Sequence, residues 1–225
     1  AAMNGNTAAS QFSITYDQTV PTLVISTSAG NPTSGAFTVD FTFSEVVTGF
    51  DVTDISAVNG TASTFTGSGA VYSATIIPAA DGMVTVDVAG LVAQDAAGNQ
   101  NTAATQLSIE NDETAPTVNI TSLANDPTNQ AFTITITFSE AVTGFDLADL
   151  TVGNGTPSNL TGSGALYMAT ITPATDGAVT IDIITNVAQD AAGNGKTAAS
   201  QNSIVADLTA TSAPVVTIIS EDKGE

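Results

Sequence analysis

The chain has 225 residues, with 22 acidic and 2 basic side chains, a formal net charge of −20, and no cysteine, histidine or tryptophan. Without cysteine it can form neither a disulfide nor a thiolate metal site, and it lacks the clustered positive charge with which proteins bind nucleic acids or anionic membranes. No run of about 18 apolar residues is present, so no segment is predicted to span a membrane.

The N-terminal residues resemble a later part of the chain. Residues 1–14 match residues 96–109 at a constant offset of 95, and they contain neither the basic region nor the apolar run of a signal peptide. Residues 1–19 are therefore interpreted as the C-terminal strand of a preceding repeat, followed by a linker.

Alternating apolar side chains then predict β-strands. Residues 37–43 carry phenylalanine or valine at every second position, which is the period of a strand with one buried face. The same alternation recurs at residues 71–77 and 83–88, and no segment has helical periodicity over more than one turn. In the first repeat, strands are expected over about 22–27, 36–43, 54–58, 61–66, 70–77, 83–89 and 102–110.

Glycine-containing turns separate these strands. Asn59 and Gly60, with their copies Asn154 and Gly155, predict two-residue hairpins of type I′, in which both central residues have positive φ. A second tight turn is predicted at residues 67–69. Short strands with turn residues at this spacing indicate a β-sandwich.

The second half of the chain repeats the first. Residues 20–109 align with residues 115–204 without a gap, and 53 of the 90 aligned positions are identical. This period is longer than the roughly 20–50 residues of solenoid repeats and indicates tandem domains. We therefore divide the chain into one repeat at 20–112, a second at 113–209, and a stretch at 210–225 that is the start of a following repeat or a tail.

Several motifs occur in the same order in both repeats. In the first repeat they are Phe43-Ser44-Glu45-Val46-Val47-Thr48-Gly49-Phe50-Asp51, Asn59-Gly60-Thr61, Thr66-Gly67-Ser68-Gly69, Tyr72-Ser73-Ala74-Thr75-Ile76, Asp81-Gly82 and Asp95-Ala96-Ala97-Gly98-Asn99. With these motifs the chain resembles the bacterial immunoglobulin-like tandem repeats of giant surface adhesins. The resemblance covers nearly the whole chain and implies an all-β fold of two tandem immunoglobulin-like Greek-key β-sandwiches.

The resemblance also implies a function and a location. Repeats of this kind form extracellular stalks at the bacterial cell surface, serve cell adhesion and biofilm formation, and are often stiffened by calcium at their joints. We accordingly expect a stalk or extender whose partners are neighbouring repeats and, through domains outside this sequence, a host-cell or surface ligand. No enzymatic activity, nucleic-acid binding or membrane insertion is expected.

Acidic residues are concentrated where the two repeats join. The joint reads Glu110-Asn111-Asp112-Glu113-Thr114, and the alternating strand directions of a sandwich bring the loops that carry Glu140 and Asp190 to the same pole. Crowded carboxylates repel one another, and Ca²⁺ binds carboxylate and carbonyl oxygens, so we expect calcium there. The candidate metal ligands are Asp17, Glu45, Asp51, Asp81, Asp95, Asn99, Glu110, Asp112, Glu113, Glu140, Asp146, Asp190 and Asn194.

The same residues also have purely structural interpretations. Asp95 and Asp190 begin Asp-x-x-Gly-Asn turns, in which an aspartate commonly accepts hydrogen bonds from its own backbone. Asp51 and Asp146 can cap a single turn of 3₁₀ helix. Glu45 can be an exposed loop residue, and no EF-hand loop is present.

The sequence gives little support for catalysis or for an intramolecular crosslink. A carboxylate pair could serve glycoside hydrolysis, but few aromatic residues are available to hold a sugar, and no histidine can act as a base. A Lys–Asn crosslink would need a lysine in the core, and we expect neither Lys196, whose counterpart is Asn101, nor Lys223 to lie there. Two alternatives stay open: a glycan- or protein-binding module, and an accessory domain of a secreted enzyme.

Overall fold

The computed structural model describes Gly5 and residues 7–209, and the chain divides into two compact units, Ala1–Glu113 and Thr114–Glu225. The predicted start of a further repeat at 210–225, and Lys223 within it, lie outside the described residues. Helix is limited in that part of the chain to single 3₁₀ turns at Val52–Asp54 and Leu147–Asp149. No helix there is long and apolar enough to cross a membrane.

The first unit is a two-sheet sandwich. Its strands are β1 (Leu23–Ser26), β2 (Phe37–Phe43), β3 (Ile55–Val58), β4 (Gly60–Ser68), β5 (Val71–Pro78), β6 (Gly82–Val88) and β7 (Leu107–Asn111). One sheet has the antiparallel order β1-β2-β5-β4, and the other has the order β3-β6-β7. This is the strand order of a constant-type immunoglobulin sandwich, so the predicted fold is confirmed.

Both sheets contribute to one core in the first unit. Every second side chain of β2 is buried, as the alternation predicts, and the inward side chains of β6 belong to the same cluster. At one end of this core, Phe43, Phe50, Phe65 and Tyr72 pack with ring centroids 5.2–6.0 Å apart. The core is therefore aliphatic and phenylalanine-based, and it needs no disulfide.

The second unit repeats this architecture. Its strands are β8 (Val118–Ser122), β9 (Phe132–Val142), β10 (Leu150–Gly153), β11 (Gly155–Pro173), β12 (Gly177–Ile183) and β13 (Asn202–Ala206), in sheets β8-β9-β11 and β10-β12-β13. β11 covers the stretch that forms β4, a turn and β5 in the first unit. Gly162 lies within it at φ 108°, and a Cβ there would meet the Leu166 carbonyl oxygen at 2.2 Å, so only glycine fits.

The predicted type I′ hairpins at Asn59 and Asn154 are wrong. Asn59 and Asn154 have positive φ (55° and 54°), but Gly60 and Gly155 do not. The strands on either side lie in different sheets, because β3 pairs with β6 whereas β4 pairs with β5. The chain therefore crosses between sheets here, and a single left-handed residue is sufficient for this change of direction.

The last strand of the first unit is shorter than predicted. β7 begins at Leu107 rather than near residue 102. The Thr102 amide donates to the Pro21 carbonyl and the Ala104 amide to the Val88 carbonyl, so these residues join β7 to other parts of the unit instead of extending it. Alternation alone does not separate such a connection from a strand.

Lys196 lies in the core of the second unit, contrary to expectation. It is 1% exposed, and its Nζ donates to the carbonyl oxygens of Ile183 (3.1 Å) and Thr197 (2.5 Å). Burial lowers the pKa of Lys196, an effect that the charge of Asp149 partly opposes. The counterpart Asn101 is equally buried and also donates to two backbone carbonyls. Both residues thus satisfy main-chain acceptors at the same place in the sandwich.

The N-terminal residues form no strand in the part that the structure describes. Residues 7–19 have no regular structure, and Phe12, Ile14 and Tyr16 are each at least 80% exposed. Their repeat equivalents belong to β7, which pairs with β6. In the first unit, β7 itself already pairs with that edge of β6, so residues 7–19 cannot pair there.

Candidate metal site

Three carboxylates of the first unit lie together at one pole. Asp17 precedes β1, Glu45 follows β2, and Asp95 lies between β6 and β7. Because β1 and β2 are antiparallel, with Leu23 opposite Phe43, the residues before β1 and after β2 come to the same end of the sheet. One carboxylate oxygen from each of the three acids lies within 4.8 Å of the others.

A tight turn fixes the orientation of Asp95. Its Oδ1 accepts hydrogen bonds from the amides of Ala97 and Asn99, both at 2.8 Å, and its Oδ2 accepts from Asn99 Nδ2 at 2.8 Å. Asn99 Nδ2 also donates to the Asp17 carbonyl oxygen at 3.1 Å. One side-chain amide therefore ties this turn to the segment that carries Asp17.

The three acids differ in their electrostatic environments. Partial burial raises the pKa of Glu45, and the charges of Asp95 and Asp17 raise it further. The pKa of Asp95 is lowered, chiefly by the hydrogen bond from the Asn99 side chain. The hydrogen bonds to Asp95 thus favour its carboxylate form, whereas burial and the neighbouring acids disfavour the charged form of Glu45.

The surroundings of these acids suit a hard cation. An open cavity of about 380 Å³ is lined by Thr15, Asp17, Glu45, Val46, Asp95, Ala96 and Ala97. The two basic residues of the chain, Lys196 and Lys223, both belong to the second unit, so the first unit has no basic side chain to offset the cluster. Carboxylate and carbonyl oxygens are the ligands that Ca²⁺ prefers, usually six to eight of them. The residues present therefore fit calcium.

The second unit repeats two of these loops. Asp190 is buried and accepts hydrogen bonds from the Asn194 amide and the Asn194 side chain, both at 2.9 Å. Glu140 is half-buried near the end of β9, as Glu45 is after β2. In sequence, Asp112 stands 95 residues after Asp17, and its amide donates to the Thr33 carbonyl within the first unit.

Asp51 and Asp146 have the capping role that the structural interpretation predicts. Asp51 Oδ1 accepts from the Thr53 amide at 2.7 Å and from the Thr53 hydroxyl at 2.6 Å, and these bonds lower its pKa. Asp146 Oδ1 accepts from the Ala148 amide at 2.7 Å. Both sites are complete capping boxes, and Asp51 is not a member of the three-carboxylate group.

The remaining candidates, Asp81, Glu110 and Glu113, take part in hydrogen bonds within the first unit. Asp81 Oδ1 accepts from the Glu113 amide at 2.6 Å, and the Glu110 amide donates to Asn31 Oδ1 at 2.9 Å. Glu110 and Glu113 are themselves exposed. The structure thus gives Asp81 a role in holding the main chain.

Sequence reasoning missed Asn111, which is 1% exposed. The Gly35 amide donates to Asn111 Oδ1, and Asn111 Nδ2 donates to the Ala80 carbonyl, both at 3.1 Å. An available signal was the period of β7, in which Asn111 follows Ile109 on the inward face. The second repeat has Ala206 at the equivalent position.

Comparison with known proteins gave matches over most of the chain. The family model described as "Bacterial Ig-like domain" matches residues 17–110 and 112–206. One similar solved structure is the Yersinia pseudotuberculosis adhesin InvE, at 12% identity and TM-score 0.30, covering 83% of this chain and 58% of that one. Another is invasin, described as a bacterial integrin-binding protein, at 17% identity and TM-score 0.33, covering 86% and 40%. The chain spans less than two thirds of either structure, and a search of curated proteins gave no match.

Proposed function

Because the chain belongs to the family of bacterial Ig-like domains, we propose that it is a structural extender of a bacterial cell-surface adhesin, with joints stiffened by calcium. In this role the repeats hold a distal adhesive domain away from the cell and transmit tension along their strands. They catalyse no reaction. Support for the extender role comes from the repeat itself, because 53 of 90 aligned positions are identical, whereas a specialised binding site would favour divergence between copies.

The observation that carries the calcium proposal is the group formed by Asp17, Glu45 and Asp95, whose oxygens lie within 4.8 Å of one another in a unit without a basic residue. We propose that these carboxylates bind one ion, which would supply the positive charge that the cluster lacks. Asp95 is already oriented by Asn99, so little reorganisation is needed. By the 95-residue offset, Glu140 and Asp190 correspond to Glu45 and Asp95, and we propose that the second unit binds an ion through them as well.

Calcium removal tests this proposal. An ion that binds only the folded protein stabilises it by about 2.7 kcal/mol per site at a concentration 100 times its Kd. The melting temperature should therefore be higher in calcium than in chelator. Small-angle scattering should show a narrower range of molecular shapes in calcium than in chelator. Identical melting curves and identical scattering profiles in the two buffers would contradict calcium stiffening.

One observation favours binding of a ligand by the second unit as another candidate function. An open cavity of about 800 Å³ is lined by Leu123, Ala124, Asn125, Pro127, Thr128, Asn129, Gln130, Ala131, Phe132, Thr133, Asp207 and Thr209. Within residues 123–131, five of nine positions differ from residues 28–36, and Leu123, fully exposed, replaces Ser28. Screening against a glycan array and a pull-down of partner proteins test this function. Binding that Leu123→Ser abolishes would support it, and the absence of any binding in both assays would oppose it.

A further inference from the structure

The last residues of the first unit, 110–113, which we name the exit segment, have partners on both sides. On one side, β6 pairs with Glu110 and Asn111. On the other side, the Thr33 amide donates to the Glu110 carbonyl and the Asp112 amide to the Thr33 carbonyl, both at 2.9 Å. The end of β7 is therefore enclosed between β6 and the loop after β1, whereas the ends of terminal strands commonly fray.

Two side chains add to these backbone contacts. Asn111, which is buried, joins the exit segment to the Gly35 amide and the Ala80 carbonyl. Asp81 lies in the turn before β6 and accepts from the Glu113 amide at 2.6 Å. We name Asp81 and Asn111 the exit clamp, because together they hold the segment to two loops of its own sandwich.

The second unit retains one half of the clamp. Asp176, the counterpart of Asp81, accepts from the Leu208 amide at 2.6 Å and from the Thr209 hydroxyl, and these bonds lower its pKa. Ala206 replaces Asn111, so the buried amide and its two hydrogen bonds are specific to the first unit. The aspartate of the exit clamp therefore has a counterpart in the second unit. Asn111 adds to it only in the first unit, at the end that precedes the second repeat.

The second unit holds the chain again from Pro116 onwards. Pro116 is buried and its carbonyl accepts from the Thr197 amide at 2.9 Å, while the Thr117 amide donates to Ser139 Oγ at 3.0 Å. Glu113 is bonded within the first unit and Pro116 within the second, and two residues separate them in the sequence. Any hinge between the two anchored positions is therefore at most two residues long.

We propose that the exit clamp sets the direction in which the chain leaves the first unit, and that it does so without a metal ion. Asp81 and Asn111 are positioning residues in this account: they act on the exit segment and contact no ligand. Without them, the exit segment would be held only by its backbone bonds to β6 and Thr33, and bending could extend further back into it. This inference deepens the proposed extender function, since a short hinge is what an extender requires, but it involves no calcium.

Distances between spin labels on the two units test the proposal. The chain has no cysteine, so Ser56→Cys and Thr151→Cys, at exposed and equivalent positions of β3 and β10, allow specific labelling. In chelator, Asp81→Ala should broaden the distribution of distances between the labels. Asp176→Ala breaks the equivalent bond beyond the second unit and should leave the distribution unchanged. Equal widths for Asp81→Ala and the parent, or equal broadening by both variants, would overturn the proposal.

A second variant covers the case in which Asp81→Ala unfolds the first unit. Asn111→Ala introduces the residue that the second unit already accommodates at Ala206. In chelator, Asn111→Ala should also broaden the distribution of distances between the spin labels, while circular dichroism shows that both units are folded. A distribution of unchanged width would refute the clamp. If calcium has no effect on the parent protein but the variants still broaden its distribution, calcium stiffening fails and the clamp stands.

Discussion

At the scale of single residues, the two repeats differ in backbone strain. Thr64 and its counterpart Asn159 both lie in the left-handed region, at φ 48° and φ 52°. This conformation suits asparagine far better than a β-branched residue. Thr64 is exposed, so its side chain gives little packing in return. The first unit therefore carries local strain that the second unit avoids.

Replacing Thr64 by asparagine should relieve this strain. Thr64→Asn is expected to raise the free energy of unfolding of the first unit by about 1 kcal/mol, the scale of the left-handed penalty. Denaturant unfolding followed by hydrogen exchange in β5 measures the change. The reciprocal Asn159→Thr should destabilise the second unit by a similar amount, and a neutral or destabilising Thr64→Asn would show that strain at this position is negligible.

At the scale of elements, aromatic packing distinguishes the two sandwiches. Phe50 contacts four rings, those of Phe41, Phe43, Phe65 and Tyr72. Its counterpart in the second unit contacts two, because an isoleucine and a leucine replace the other two aromatic residues. Favourable ring pairs contribute about 0.5–1.5 kcal/mol beyond the area they bury. The ring at this core position should therefore contribute more to the stability of the first unit than its counterpart does to the second.

Truncation of this ring gives a matched comparison. Phe50→Ala is expected to destabilise the first unit by about 3–5 kcal/mol, the usual cost of such a cavity. Phe145→Ala should cost the second unit less, because fewer ring contacts are lost. Hydrogen exchange in β6 and β12 reports each unit separately. If Phe145→Ala proved the more damaging change, the aromatic cluster would not explain the difference.

The strands were predictable because their signal is local. Alternation in β2 reports one buried face, and both Asp51 and Asp146 cap a helical turn that the sequence indicated. What failed depends on distant parts of the chain. The Asn59 turn changes sheets instead of closing a hairpin, and the buried Lys196 donates to the Ile183 carbonyl, 13 residues before it.

The candidate site was predictable only in part. Opposite strand directions predicted that the loops carrying Glu140 and Asp190 meet, and the equivalent loops of the first unit, with Glu45 and Asp95, do lie together. Strand directions did not predict that the candidate ligand Asp17 joins them. The hydrogen bond that the Glu113 amide donates to Asp81, and the burial of Asn111, depend on how the turn before β6 packs against the end of β7. No spacing in the sequence encodes that contact, so the hydrogen bond between Asp81 and the Glu113 amide could not be predicted.

At the scale of the whole molecule, charge is the dominant feature. A net charge of −20 favours solubility but adds self-repulsion, which bound cations reduce. In the first unit, Asp17, Glu45 and Asp95 concentrate this repulsion, because one carboxylate oxygen of each lies within 4.8 Å of the others. Calcium would thus act at a point where it both neutralises charge and ties three segments of the chain together.

Calorimetric titration of the chelator-treated protein with calcium tests the central claim most directly. We expect saturable binding that Glu45→Gln weakens. Asp40→Thr removes an exposed charge from β2 and introduces the residue that the second repeat has at Thr135, so it should leave binding unchanged. No saturable binding to the parent protein, or equal weakening by both substitutions, would contradict the account.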